Sequence, residues 1–476
     1  MKILLFQPNY DAHVIHPPLG LGYLASFLRL KGQEVLIFDG TLNNASAEDF
    51  LRVIVNFSPD LVGISVLTRA HHKAKELIGE IKKGFPELLV VIGGTQVTAA
   101  PEEVLADLGA DLAVIGEGEI TLTELIEKIG EEGFKKTKLE KIDGLAYFDL
   151  QGKIRINKAR KLVENLDQIP FPAWDLMPPA NYRIVPILEP IKSFPVAPIM
   201  TSRGCPYNCS FCASNVTWQR KLRFRSPENV IKEIKLLKGK YGVKEIHFSD
   251  DNFTMDIKRA EEICNLLIEE KISLPWQCPN GVRIDRLPLS LLKKMKKAGC
   301  YAVGLGIESG NQEILKKNQK NLNLEIVPEV LKNLKKVGIE SYGFFILGLP
   351  GDTKQTINET IDYALKNPFD RVWFNLFTPY PGSPAFNTWL ENRRFCEIDW
   401  NKHDCSTAVV GLKGISGKQL EKFQKVALGK FYLRPRNLFK LLVRLRPREI
   451  LSLIMSRFFG KIGKPIFRLA HKFTRR

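Results

Sequence analysis

Short apolar runs alternate with amphipathic segments through most of this chain, and that alternation constrains the fold more than any other feature. Residues 2–6, 34–38, 61–66, 88–92 and 112–115 are short runs rich in β-branched residues, and they read as buried strands. Helical spacing fills the gaps at 19–31, 47–57, 73–85, 101–108 and 120–130. Five such units joined by right-handed crossovers predict an α/β fold, a flavodoxin-like doubly wound parallel sheet. A second series has strands at 199–201, 245–249, 276–280, 302–306, 341–346 and 371–377, with helices such as 227–241 and 325–337. Six units are fewer than the eight that close a barrel, so this half predicts an open (β/α)6 partial barrel with its chemistry at the strand carboxyl ends.

The 476 residues therefore divide into a first domain at 1–130, a hairpin and Pro-rich linker at 131–190, the partial barrel at 191–384 and a mostly helical C-terminal region at 385–476. Trp389, Phe395, Trp400 and His403 suit either a cover over the barrel mouth or plain core. The net charge of +18 suggests a nucleic-acid binder until it is located. Residues 413–476 hold 18 Lys and Arg against 2 Asp and Glu, so the body of the chain is nearly neutral and nucleic acid is disfavoured as a partner. The tail interleaves large apolar groups with basic ones, as amphipathic helices that bind an anionic membrane surface do. Without an apolar run of about 18 residues, and with Met1 opening on a strand, the expected location is cytoplasmic, peripheral on the inner face of the membrane.

Cys205, Cys209 and Cys212 form a C-x3-C-x2-C loop directly after the first barrel strand. The other five cysteines lack pairing spacings, so disulfides are not expected. Three thiolates can hold one corner of an iron-sulfur cube and leave the fourth iron open. Zinc needs a fourth ligand, and the nearest histidine, His247, falls in mid-strand, which favours the cluster. Small or polar residues mark the strand ends of the first half: Pro8; Ser65 and Leu67; Gly93, Gly94 and Thr95; Gly116, Glu117, Gly118 and Glu119. Ligands of such sheets lie over these ends. Tight turns alone explain any single glycine pair.

With Pro17-Pro18-Leu19-Gly20 opening the first helix, this half resembles the cobalamin-binding domain that precedes a radical S-adenosylmethionine domain. The resemblance implies that Pro18, Leu19 and the strand-end residues just named surround cobalamin. Asp11-Ala12-His13-Val14-Ile15-His16 has the first half of the Asp-x-His-x-x-Gly pattern but not its glycine, so neither histidine is expected to ligate cobalt. The cysteine loop, with Phe211 before its last cysteine, resembles the radical S-adenosylmethionine superfamily. Members bind a 4Fe-4S cluster whose open iron chelates S-adenosylmethionine, and one electron then releases a 5'-deoxyadenosyl radical. The same resemblance implies that Asp250 and Asp251 face the methionyl amine, Arg283 the carboxylate, Glu308 with Ser309 the ribose, and Gly348 in the 343–351 run the adenine.

The implied activity is methyl transfer to an unactivated carbon or a phosphorus of a hydrophobic or membrane-associated substrate, with flavodoxin or ferredoxin as reductant. Radical cyclisation or oxidation with the same cofactors is the alternative within the class. A methylthiotransferase carries cluster cysteines in its N-terminal domain, and residues 1–204 contain none. A non-enzymatic cobalamin or redox sensor is the more distant reading.

Overall fold

The computed structural model describes residues 1–10, 12, 15–182, 191–391, 393–435 and 437. The chain forms two compact units, Met1–Gln424 and Lys425–Arg476. Of the second, the end of helix Gly417–Tyr432 and the residues just beyond it are described. The basic tail expected to bind a membrane otherwise lies outside the described residues.

The first unit contains both strand series. The first comprises β1 (Lys2–Gln7), β2 (Glu34–Asp39), β3 (Leu61–Ser65), β4 (Leu89–Gly93), β5 (Leu112–Val114), β6 (Leu145–Phe148) and β7 (Ile154–Ile156). Their order is β2-β1-β3-β4-β5-β6-β7, with the first five parallel as the flavodoxin-like expectation required. Leu5 pairs with Ile37 on one side and Gly63 on the other. Ile3, Leu4 and Leu5 are buried on both sheet faces, which is why these strands read as continuous apolar runs rather than alternating ones.

The 131–190 hairpin does more than connect. Strand β6 pairs antiparallel with β5, Val114 opposite Leu145, and β7 pairs with β6, so the hairpin extends the sheet. It covers the backbone groups that the three-residue β5 would otherwise leave at an open edge.

The second series comprises β8 (Val196–Ile199), a two-stranded ribbon of β9 (Ser202–Arg203) and β10 (Arg223–Phe224), then β11 (Glu245–Phe248), β12 (Trp276–Val282), β13 (Cys300–Glu308), β14 (Glu340–Leu347) and β15 (Arg371–Leu376). Six of these form an all-parallel sheet in the order β15-β14-β13-β12-β11-β8, the open partial barrel. The ribbon was not foreseen, because two-residue strands carry no periodicity. Of the aromatic residues that suited either a cover or plain core, Phe395 and Trp400 join the core of the first sheet with Phe386 and Ile398, beside Phe50, Leu77 and Leu105. Burial of each such side chain is worth roughly 1.5–3 kcal/mol. Among the described residues no helix is long and apolar enough to cross a membrane.

Candidate active site between the two sheets

The cysteine loop leaves β8 through the β9–β10 ribbon, which closes the loop at its base. At that base Gly204 has φ +96°, and a Cβ there would lie 2.3 Å from the Lys221 carbonyl oxygen. Gly204→Ala is therefore expected to cost on the order of 2 kcal/mol and to lower iron bound per folded chain, which thermal melting and iron analysis will check. Asp250 is not part of the lining of the cavity described below: it is 2% exposed, and its Oδ1 accepts from Thr201 N (3.1 Å), Thr201 Oγ1 (2.9 Å) and the Ser202 hydroxyl. It fixes the start of the loop, and Asp251 is the acid that reaches open space, accepting from Ser214 Oγ at 2.8 Å. Phe211 packs against Ile314, Leu349 and Phe377.

All three loop cysteines are free thiols. Burial pushes each thiol up, Cys212 to about 11, so metal uptake must release their protons. Three free thiols on one loop fit a cluster that spreads its ligands over separate irons. Among the described residues no three His, Cys, Asp or Glu side chains meet as ligands of a single ion. His247, the candidate fourth zinc ligand, is buried in β11 against Glu245 (2.9 Å) and Gln277 (2.9 Å).

Around the loop, the Arg283 guanidinium lies 3.8 Å over the Tyr207 ring and is held bidentately by Asp285 at 2.9 and 3.0 Å. Glu308 closes β13 at φ +69° and accepts from Lys320 Nζ at 3.0 Å. Ser309 is buried, its hydroxyl 3.1 Å from Thr360 Oγ1 in helix Lys354–Lys366. Gly348, at φ +89°, gives its N–H to Asp352 at 3.0 Å. Thus Arg283 lies against Tyr207 of the cysteine loop, and Arg283, Glu308, Asp250 and Ser309 all have partners within the protein.

A cavity of about 680 Å³ separates the two sheets. Its first wall holds Pro18, Leu19, Ser65, Leu67, Gly93, Gly94, Thr95, Gly116, Glu117, Gly118 and Glu119. Pro8 is absent from that wall; its carbonyl accepts from Thr41 Oγ1. Gly94, at φ +99°, would bring a Cβ within 3.0 Å of the Val66 carbonyl, so only glycine keeps this floor flat. Such a backbone-lined floor fits the broad ring of cobalamin. The opposite wall comes from the barrel side: Met200, Arg203, Ala213, Ser214, Trp218, Asp251 and Tyr380. One space therefore serves both the strand ends of the first sheet and the neighbours of the cysteine loop. His16 also lines it, its ring 6.4 Å from that of His247, while His13 lies outside the described residues.

Glu117 and Glu119 have a second role that their positions in sequence did not reveal. Arg203 donates to Glu117 Oε1 at 2.7 Å and to Glu119 Oε1 at 2.6 Å, and Arg223 donates to Glu117 at 2.8 and 3.0 Å. The four side chains are buried, and the Trp218 ring lies beside both guanidinium groups. Burial pushes the Glu117 carboxyl up, but Arg223 and Arg203 more than offset it and hold the group below the usual carboxylate range. These bonds tie the wall of the first sheet to the base of the cysteine loop.

Comparison with known proteins agrees with this division. The radical SAM superfamily model matches residues 199–364, and the B12 binding domain model matches residues 10–126. An uncharacterized methyltransferase of Pyrococcus horikoshii is 35% identical over 92% of this chain and 94% of its own. The chain belongs to the cobalamin-dependent radical S-adenosylmethionine methyltransferase family. As a member of that family it is an enzyme that uses a 4Fe-4S cluster, S-adenosylmethionine and cobalamin, which sets the sensor reading aside. An anaerobic magnesium-protoporphyrin IX monomethyl ester cyclase of Rubrivivax gelatinosus is 30% identical over 81% of this chain and 69% of its own. Among solved structures, the radical S-adenosylmethionine methyltransferase TsrM from Kitasatospora setae shares the fold, with a TM-score of 0.66 at 20% identity, covering 80% of this chain and 75% of that one.

Proposed function

We propose that this enzyme transfers a methyl group to an unactivated carbon or a phosphorus centre of a hydrophobic, membrane-associated substrate. The observation that supports it most is the shared cavity, in which the glycine floor of the first sheet faces Ser214 and Asp251 beside the cysteine loop. When bound, the cofactors supply a transferable methyl group and a radical that abstracts hydrogen. The chain's own residues align and shield: the buried Arg203 and Arg223 pairs hold the two walls together and keep that side of the cavity from water. The charge of residues 413–476 supports a membrane-facing substrate. Electrons come from a flavodoxin- or ferredoxin-type reductant.

A second reading, ring formation or oxidation without methyl transfer, is favoured by the similarity to the cyclase. One experiment separates the two. Full-length protein reconstituted anaerobically is given S-adenosylmethionine, cobalamin, reductant and candidate polyprenoid or tetrapyrrole substrates, and the products are read by mass spectrometry. The proposal expects 5'-deoxyadenosine together with a product heavier by one CH2. A product that has lost hydrogen with no added carbon establishes the second reading instead.

A further inference from the structure

We infer that the outer face of the cysteine loop is the docking surface for an acidic one-electron carrier protein. Three segments meet there: residues 206–210 of the loop itself, 219–221 after helix Ser214–Trp218, and 316–319 at the end of helix Gln312–Lys317. The Arg220 guanidinium donates to Asn208 Oδ1, and Asn208 Nδ2 donates to Gln319 Oε1 at 2.8 Å, so one run of side-chain bonds crosses all three. Ser210 gives its N–H to the Asn318 carbonyl at 3.0 Å and its hydroxyl to Asn318 Oδ1 at 2.8 Å. The face is therefore braced before anything binds, which keeps the ordering cost of docking low.

Arg220, Lys221, Lys316 and Lys317 are exposed on this face, as is Pro206 of the loop, and the three segments contain no Asp or Glu. Because the body of the chain is nearly neutral, the patch is a local excess of positive charge. Gln219, Arg220 and Gln319 all take the left-handed conformation, at φ +51°, +58° and +55°. That conformation is unfavourable for any residue but glycine, and such strain concentrates where function needs a side chain placed. Here it sets Arg220 and Gln319 against Asn208, the residue before Cys209. A redox encounter needs little area and takes its orientation from charge, so an acidic carrier is steered to this patch. One electron passes from the reduced carrier to the cluster, and no bond forms or breaks. The inference rests on the family's cluster and on the proposed reductant, and is independent of the substrate.

The test is stopped-flow bleaching of the cluster in full-length protein reconstituted anaerobically, with iron and sulfide counted per chain. The electron comes either from an acidic flavodoxin in its reduced form or from photoreduced deazaflavin, which needs no docking surface. Lys221→Glu, Lys316→Glu and Lys317→Glu combined are expected to slow reduction by flavodoxin about tenfold and reduction by deazaflavin less than about twofold. The same reversal at Lys332, Lys335 and Lys336, exposed on helix Val327–Val337, changes the net charge equally and is expected to leave both rates within about twofold of wild type. An unchanged flavodoxin rate in the first triple variant overturns the inference, and so does an equal loss in the second. If the first triple variant holds no iron, Lys316→Glu alone decides: it is expected to slow flavodoxin about threefold, and an unchanged rate overturns the inference equally. A wild-type cluster that deazaflavin bleaches and flavodoxin does not overturns the docking surface alone, whereas one that neither bleaches overturns the proposed function with it.

Discussion

Replacing Cys209 with alanine is expected to abolish 5'-deoxyadenosine formation and the methylated product together, while leaving the fold in place. Cys209 is the most deeply buried of the three loop cysteines at 8% exposure. Cys264, Cys278 and Cys300 sit in the barrel's packed layers, where burial pushes their thiols up, Cys264 to about 12. The loop itself stays pinned, because Ser210 and Asn208 bind residues 318 and 319 without help from the sulfur. Stability should therefore change by no more than about 1 kcal/mol, while bound iron and sulfide collapse. Iron analysis, thermal melting and product assay on one preparation distinguish lost ligation from lost folding. Cluster retention with undiminished product would mean that another group completes the ligand set.

Arg203→Ala is expected to produce the largest loss of stability. Arg203 serves two buried carboxylates at once and lies about 5 Å from the rings of Tyr23 and Trp218. Its removal strips Glu119 of that partner and leaves Glu117 to Arg223. Breaking a buried pair in this way costs roughly 3–5 kcal/mol, which chemical denaturation will measure. Arg203→Lys should recover only part, since an ammonium lacks the planar fork that spans both carboxylates. The same change loosens the two walls of the cavity, and a displacement of about 1 Å between reacting groups costs on the order of 100-fold in rate. Methyl transfer should thus fall far more than 5'-deoxyadenosine formation, because the cysteine loop itself stays on the barrel side.

The clamp also carries a pH dependence. Glu117 is held below its ordinary value of 4.5 in the folded protein, so its stabilising contribution is complete above that value and is lost as pH falls through the lowered one. Wild-type protein should lose this contribution below about pH 4.5, and Arg203→Ala should flatten the dependence in that window.

Much of the architecture was legible in local pattern. Strands buried on both faces appear as apolar runs whatever surrounds them, so β1 to β5 and the six barrel strands lie within a few residues of their expected places. The three cysteines were legible because ligation by one loop is itself a local property. Arg283 and Glu308 were named from their resemblance to the superfamily's strand-end motifs, and strand ends converge in any parallel sheet of this kind. The same resemblance named Asp250 and Ser309, but position alone does not say which partners a side chain finds: Asp250 accepts from Thr201 and Ser309 lies against Thr360.

By itself, the sequence determined two α/β halves, a three-thiolate loop after the first barrel strand, and a glycine-bearing set of strand ends facing it. Tertiary structure alone decided that the glycine-bearing strand ends share one cavity with Ser214 and Asp251 beside the cysteine loop, and that Glu117 is shared by Arg203 and Arg223 while Glu119 goes to Arg203. The physical reason is range. Strand, helix and loop ligation are set by residues a few positions apart, whereas Arg203 meets Glu117 across 86 residues of chain and Ser210 meets Asn318 across 108. Such pairs form only when packed layers bring distant side chains into one dry space, and no local spacing records them.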